Sequence, residues 1–160
     1  MHESEDAATQ TPRACWSVFA NKAHDQVQKC RAELAQSRAR LEQLTASHQR
    51  VRAMYEEYRQ KERSIREADD GLMSQANQRQ FMSQLLALAE RVKSDLDKAQ
   101  AVVDNEQKQL QTAELELRKM KALEEQDREA VRKSVERRDQ RIMDSLGVAQ
   151  FNLRRGETPT

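Results

Sequence analysis

The sequence predicts an all-α fold: a two-helix antiparallel coiled-coil hairpin in which the C-terminal helix is the longer. Three observations predict it. Helix-breaking residues are confined to the two ends and one internal point, since proline occurs only at Pro12 and Pro159 and Gly71 is the sole glycine before Gly147. On both sides of Gly71 apolar residues recur at alternating steps of three and four, the heptad signature of a coiled-coil seam. The two series can also be mirrored about Gly71, which requires the chain to fold back on itself.

The first helix is expected over about 12–68, with Thr11 as cap and Pro12 as first helical residue. Its seam runs through Ala20, Ala23, Val27, Cys30, Leu34, Ser37, Leu41, Leu44, His48, Val51, Tyr55, Tyr58, Glu62 and Ile65 without interruption. The turn, about 69–74, draws on Asp69, Asp70 and Gly71. A second helix follows over about 75–148, with Gly147 and Gly156 placed where it would fray or stop. Its seam is read as Phe81, Leu85, Leu88, Val92, Leu96, Ala99, Val103, Glu106, Leu110, Ala113, Leu117, Met120, Leu123, Asp127, Val131 and Val135. The step through Leu85, Leu88, Val92 and Leu96 predicts an eleven-residue stutter that locally unwinds the supercoil. Residues 12–153 then form one hairpin domain between a disordered acidic leader, 1–11, and a disordered tail, 154–160.

Facing pairs such as Tyr58 with Leu85, Val51 with Val92 and Cys30 with Ala113 have numbers totalling 143, which puts the mirror at 71.5, beside the internal glycine. A continuous helix in a parallel dimer would instead carry Gly71 at about 1 kcal/mol, with two aspartates beside it. In the hairpin register Ser37 lies opposite Glu106 as a polar layer that sets alignment, and His48 is a polar seam residue.

Composition agrees with long solvated helices. Charged residues make up 34% and aromatics 4%, and the mean hydropathy of −1.01 leaves material only for a thin core. Lys plus Arg (28) nearly balances Asp plus Glu (27), giving no field for nucleic acid or an anionic membrane. The opening MHESEDAATQ lacks the basic start and apolar run of a secretory signal. No apolar stretch nears the roughly 20 residues of a membrane span, so no membrane insertion and a cytoplasmic location are expected. Cys15 and Cys30, roughly 22 Å apart along one helix, are too distant for a disulfide, and Cys30 reads as a small core residue. His2, His24 and His48 share no metal-ligand spacing, and there is no glycine-rich phosphate loop. Catalytic, cofactor and metal sites are therefore each expected to be none.

Function is expected at the two ends. The second helix outruns the first, leaving Val131, Val135, Ile142 and Leu146 without an intramolecular partner in a stretch that includes Arg128, Arg132, Lys133, Arg137, Arg138 and Arg141. A narrow apolar stripe on a basic helix suits docking into a protein groove or ring. Trp16, Val18 and Phe19 lie at the same end. Toward the turn, Met54, Tyr55, Tyr58, Phe81, Met82, Leu85 and Leu86 exceed what two helices can bury between them: Tyr55 and Tyr58 read as wide core residues, and Met54, Met82 and Leu86, adjacent to seam positions, as a partly exposed apolar flank for a partner.

The segment Glu57-Tyr58-Arg59, followed past the turn by Gln80-Phe81 and Leu85, resembles the FliJ/YscO family of type III export stalk proteins. The closing Glu136, Arg137, Arg138, Asp139 and Asp144 are similar to the ends of those chains, and the likeness spans most of 16–153. The resemblance implies a rod at the inner-membrane export apparatus whose termini insert into a hexameric secretion ATPase. Trp16, Phe19, Val131, Val135, Arg138, Ile142 and Leu146 would face that ring. It also implies contact between the cytoplasmic linker of the export gate and Val51, Met54, Tyr55, Tyr58, Phe81, Leu85 and Leu88, together with a link to export chaperones. Flagellar and injectisome branches both fit. A monomer is expected; the rival is a homodimeric coiled-coil chaperone or tether holding client segments. A basic-region DNA binder ranks behind both, because its basic block should precede a zipper, whereas here it follows the seam.

Overall fold

The computed structural model describes residues 11–67 and 71–156, with side chains at 65–67 excluded. They form two α-helices, α1 over Ala14–Glu67 (54 residues) and α2 over Leu72–Gly156 (85 residues). The fold is the expected helical hairpin with the second helix longer. Contacts divide it into two compact units, one of residues 11–27 with 113–156 and one of residues 28–112. Each is a thin antiparallel pair.

The helix ends differ from the sequence expectation for identifiable reasons. α1 starts at Ala14 rather than at Pro12, because Arg13 takes the capping role. Its carbonyl accepts the Trp16 N–H at 3.2 Å, and its own N–H donates to Asp127 Oδ2 on α2 at 2.6 Å. An otherwise orphaned amide at the helix start is thereby satisfied from across the pair. The Arg13 guanidinium lies 3.9 Å from the other oxygen of the same carboxylate. Replacing Asp127 with alanine is expected to cost about 1 kcal/mol, the usual worth of a helix cap, and to speed amide exchange selectively over the first turn of α1.

α2 starts at Leu72, inside the segment expected as turn. Gly71 sits at its cap, its carbonyl accepting the N–H groups of Ser74 at 3.0 Å and Gln75 at 3.4 Å. The turn chemistry expected of Asp69 and Asp70 lies outside the described residues, as does the acidic leader as far as residue 10. At the far end α2 runs through Gly147 to Gly156. One interior glycine costs only about 1 kcal/mol, and no proline falls between Gly71 and Pro159. The expected tail is thus helical over 154–156.

In α1 burial follows the expected seam from Ala20 to Glu62. In α2 it does not. Buried and half-buried residues fall at Gln78, Met82, Leu85, Ala89, Val92, Leu96 and Ala99, an unbroken alternation of four and three. The stutter is absent. Met82 is 8% and Ala89 2% exposed, whereas Phe81 and Leu88 stand at 37% and 45%. An uninterrupted heptad repeat keeps one stripe facing the partner helix without local unwinding. For the same reason Glu124, not Leu123, continues the seam.

Register shifts accordingly. In the unit of residues 28–112, Tyr58 meets Phe81 and Glu62 meets Arg79, pairs whose numbers total 139 and 141. In the other unit, Arg13 meets Asp127, totalling 140. The expected total of 143 is displaced by about one seam layer, so Tyr58 is level with Met82 rather than Leu85. Ser37 is level with Val103, and Glu106 with Leu34. One Glu106 carboxylate oxygen is buried without a hydrogen-bond partner.

Candidate functional site

Two groups of side chains, one in each unit, carry the exposed apolar surface. In the unit of residues 28–112 the residues just before each seam position of one type form a common side: Arg40, Ser47, Met54 and Lys61 on α1, and Phe81, Leu88, Asp95 and Val102 on α2. Two clefts between the helices confirm that these rows adjoin. One is lined by Tyr58, Lys61, Ser74, Asn77, Gln78 and Phe81, the other by Ser37, Arg40, Asp95, Lys98, Ala99 and Val102.

The first cleft centres on an aromatic pair. Tyr58 and Phe81 pack edge to face with centroids 4.8 Å apart and planes at 65°, an arrangement worth about 0.5–1.5 kcal/mol beyond area burial. The Gln78 side-chain amide donates to the Tyr58 carbonyl at 3.4 Å. Lys61 Nζ lies 5.2 Å from the Tyr58 ring centroid and 2.8 Å from Glu57 Oε1. The hydrogen bond and charge of Lys61 lower the Glu57 carboxyl below its ordinary value, and Glu57 raises the Lys61 ammonium. Both are charged at neutral pH with or without these shifts, and the pair lies in solvent beside the aromatic rings.

Among the residues expected here, Met54, Phe81 and Leu88 are exposed and Val51, Tyr55 and Tyr58 half-buried. Leu85 is buried in the seam. Val102 was missed by the sequence reading. It is exposed on the same side, three heptads after Phe81, and counting sevens from Phe81 through Leu88 would have found it.

In the other unit Trp16 is half-buried and Phe19 exposed, their rings edge to face at 6.2 Å. Val131 and Val135 are half-buried. Ile142 and Leu146 are about half exposed and Leu153 more so. At 100° per residue, Val131, Val135, Ile142, Leu146 and Leu153 fall within about 60° of one another, a stripe that prolongs the α2 seam beyond the last residue contacted by Arg13. Leu153 was missed because the helix was expected to stop before it. Many nearby charges pair along α2, including Arg128 with Glu124, Lys133 with Glu129 and Arg138 with Asp139. Between residues 137 and 156 five arginines still outnumber two aspartates, so the stripe runs through net positive surroundings.

Among the described residues no group of three His, Cys, Asp or Glu is placed to hold a metal ion, and no helix is long and apolar enough to cross a membrane. The family model described as flagellar FliJ protein matches residues 17–156. The chain belongs to the FliJ family. This FliJ-family chain is thereby a component of the flagellar export apparatus, in a family of structural export proteins rather than enzymes. Neither a curated protein nor a solved structure matches it.

Proposed function

We infer that this FliJ-family chain is the central stalk of a flagellar export apparatus, inserting its termini into the hexameric export ATPase and touching the export gate near the turn. The carrying observation is the apolar stripe of Ile142, Leu146 and Leu153, which continues the α2 seam in exposed, arginine-rich helix. Such a stripe gains by burial in a ring lumen, at about 25 cal/mol for each Å² of apolar surface removed from water, and a stalk needs no catalytic residue of its own. Trp16 and Phe19 would enter the same ring.

At the other unit, Met54, Phe81 and Leu88 form an exposed apolar row suited to the cytoplasmic linker of the export gate. Tyr58 and Leu85 hold Phe81 and its neighbours in place. The chain would act in the cytoplasm beside the inner membrane, as a monomer before assembly, with export chaperones as further partners.

Changing Ile142, Leu146 and Leu153 together to aspartate is expected to weaken binding to the purified ATPase at least tenfold, about 1.4 kcal/mol, and to remove stimulation of ATP hydrolysis. Circular dichroism should stay helical, since all three are exposed. Undiminished stimulation would overturn the ring assignment.

A further inference from the structure

The side of residues 28–112 opposite the apolar row has a different character. In an antiparallel pair, the residues just after alternate seam positions flank the interface on this side, those of one helix alongside those of the other. On α1 they follow Cys30, Ser37, Leu44, Val51 and Tyr58, and are Arg31, Arg38, Thr45, Arg52 and Arg59. On α2 they follow Gln78, Leu85, Val92, Ala99 and Glu106, and are Arg79, Leu86, Lys93, Gln100 and Gln107. No carboxylate occupies any of these ten positions. All except half-buried Thr45 are exposed.

A flank evolved only to hold the hairpin would place opposite charges across the seam. Here Arg59 and Arg79, and likewise Thr45 and Lys93, are the nearest flanking residues of the two helices, about two residues out of level, and Arg79 reaches Glu62 of α1 across the seam. Neighbours partly offset the charges: Glu56 lies 3.8 Å from Arg59, Glu62 3.6 Å from Arg79, and Asp97 2.8 Å from Lys93. These contacts are solvent-exposed on the cationic partner, and such ion pairs contribute little to stability. Arg59 and Arg79 face each other as like charges at a cost of a few tenths of a kcal/mol, which the Glu62–Arg79 pair across the seam partly offsets, so the row as a whole contributes little to holding the hairpin.

We propose that this arginine flank is a docking surface for an acidic amphipathic α-helix of a partner protein, which lies along the groove as a third strand. Arginines seven residues apart repeat at about 10.5 Å, the repeat at which a heptad-patterned helix presents its flanking glutamates. Exposed Leu86 interrupts the charges nearest Arg52 and offers an apolar contact to such a helix. Arginine forks suit carboxylates, which they can bind through two parallel hydrogen bonds. Glu42 and Glu56 on α1, with Glu90, Asp97 and Asp104 on α2, rim the row. This alternation repels the dense negative charge of a nucleic-acid duplex or an anionic bilayer, yet accommodates a single row of carboxylates.

The test uses the full chain and a labelled helical peptide of about four heptads carrying glutamate at two flanking positions and leucine at one seam position of each heptad. In roughly 0.15 M salt, fluorescence anisotropy should show binding, at least tenfold weaker when glutamine replaces the glutamates. The variant Arg38→Gln, Arg52→Gln, Arg59→Gln should lose at least tenfold in affinity, while its thermal midpoint shifts little, because exposed ion pairs contribute little to stability. A fall of several degrees in that midpoint would instead make the arginines structural. Failure of the glutamate peptide to bind, tighter binding of duplex DNA or phosphatidylserine vesicles, or self-association abolished by the same substitutions would each overturn the proposal.

Discussion

Aspartate at Met82 and Ala89 is expected to destabilise the hairpin by about 3 kcal/mol or more at each position, whereas aspartate at the adjacent Phe81 and Leu88 should leave it folded. The contrast follows from the seam. Met82 and Ala89 are buried between α1 and α2, and a carboxylate there is stripped of water without a cation, a loss of about 3–5 kcal/mol. Phe81 and Leu88 project from the flank. Changing them forfeits the edge-to-face contact with Tyr58, about 0.5–1.5 kcal/mol, and some apolar cover. Urea titration of the two double variants measures both costs. The exposed pair should also lose export-gate binding while keeping ATPase binding, separating the proposed site from the core that supports it. If Phe81 and Leu88 proved the costlier positions, the continuous heptad seam would be wrong and the stutter right.

Leucine at Glu106 is expected to stabilise the protein by about 1–3 kcal/mol, because it removes a carboxylate oxygen that is buried without a partner and carries that desolvation cost. For a chain of this size the thermal midpoint should rise by roughly 2–4 °C per kcal/mol. Glu106 occupies a seam layer level with Leu34, one layer from that of Ser37 and Val103. Its cost is intelligible as register control. A helix pair with an unbroken heptad repeat can slide by seven residues and still bury apolar side chains, and a polar seam residue penalises alignments that enclose it more deeply. The leucine variant should therefore be more stable but less uniquely aligned, with doubled amide signals for residues near the layer. A single set of signals with an unchanged midpoint would show that the oxygen costs the fold nothing.

Some of the candidate surface was legible from residue spacing and some was not. Ile142 and Leu146 could be named because nothing in the chain remained to cover them once the hairpin was assumed. Leu153 was lost to a glycine read as a stop. Glycine weakens a helix by an amount that its neighbours can offset, so Gly147 alone could not end α2. At the other unit Met54 and Leu86 were expected on the flank and are exposed, whereas Met82, expected beside them, is buried in the seam and the expected seam residues Phe81 and Leu88 stand out of it. The arginine flank escaped notice altogether, since it is visible only when each seam is split into its two sides and the rows of both helices are set side by side.

The sequence by itself determined that the chain is a hairpin of two helices, which residues of α1 face α2, and that α2 projects beyond its partner. These follow from where glycine and proline stand and from a period that any isolated helix must express. Only the tertiary structure decided between Phe81 and Met82, between Leu88 and Ala89, and among registers. Adjacent apolar residues satisfy a count of hydrophobicity equally well, but a partner helix accepts one continuous stripe, so small Ala89 enters and larger Leu88 stays out. Register is degenerate to any heptad repeat. Individual contacts resolve it, Arg13 with Asp127 in one unit and Tyr58 with Phe81 in the other, because they form at one alignment and are lost at the next.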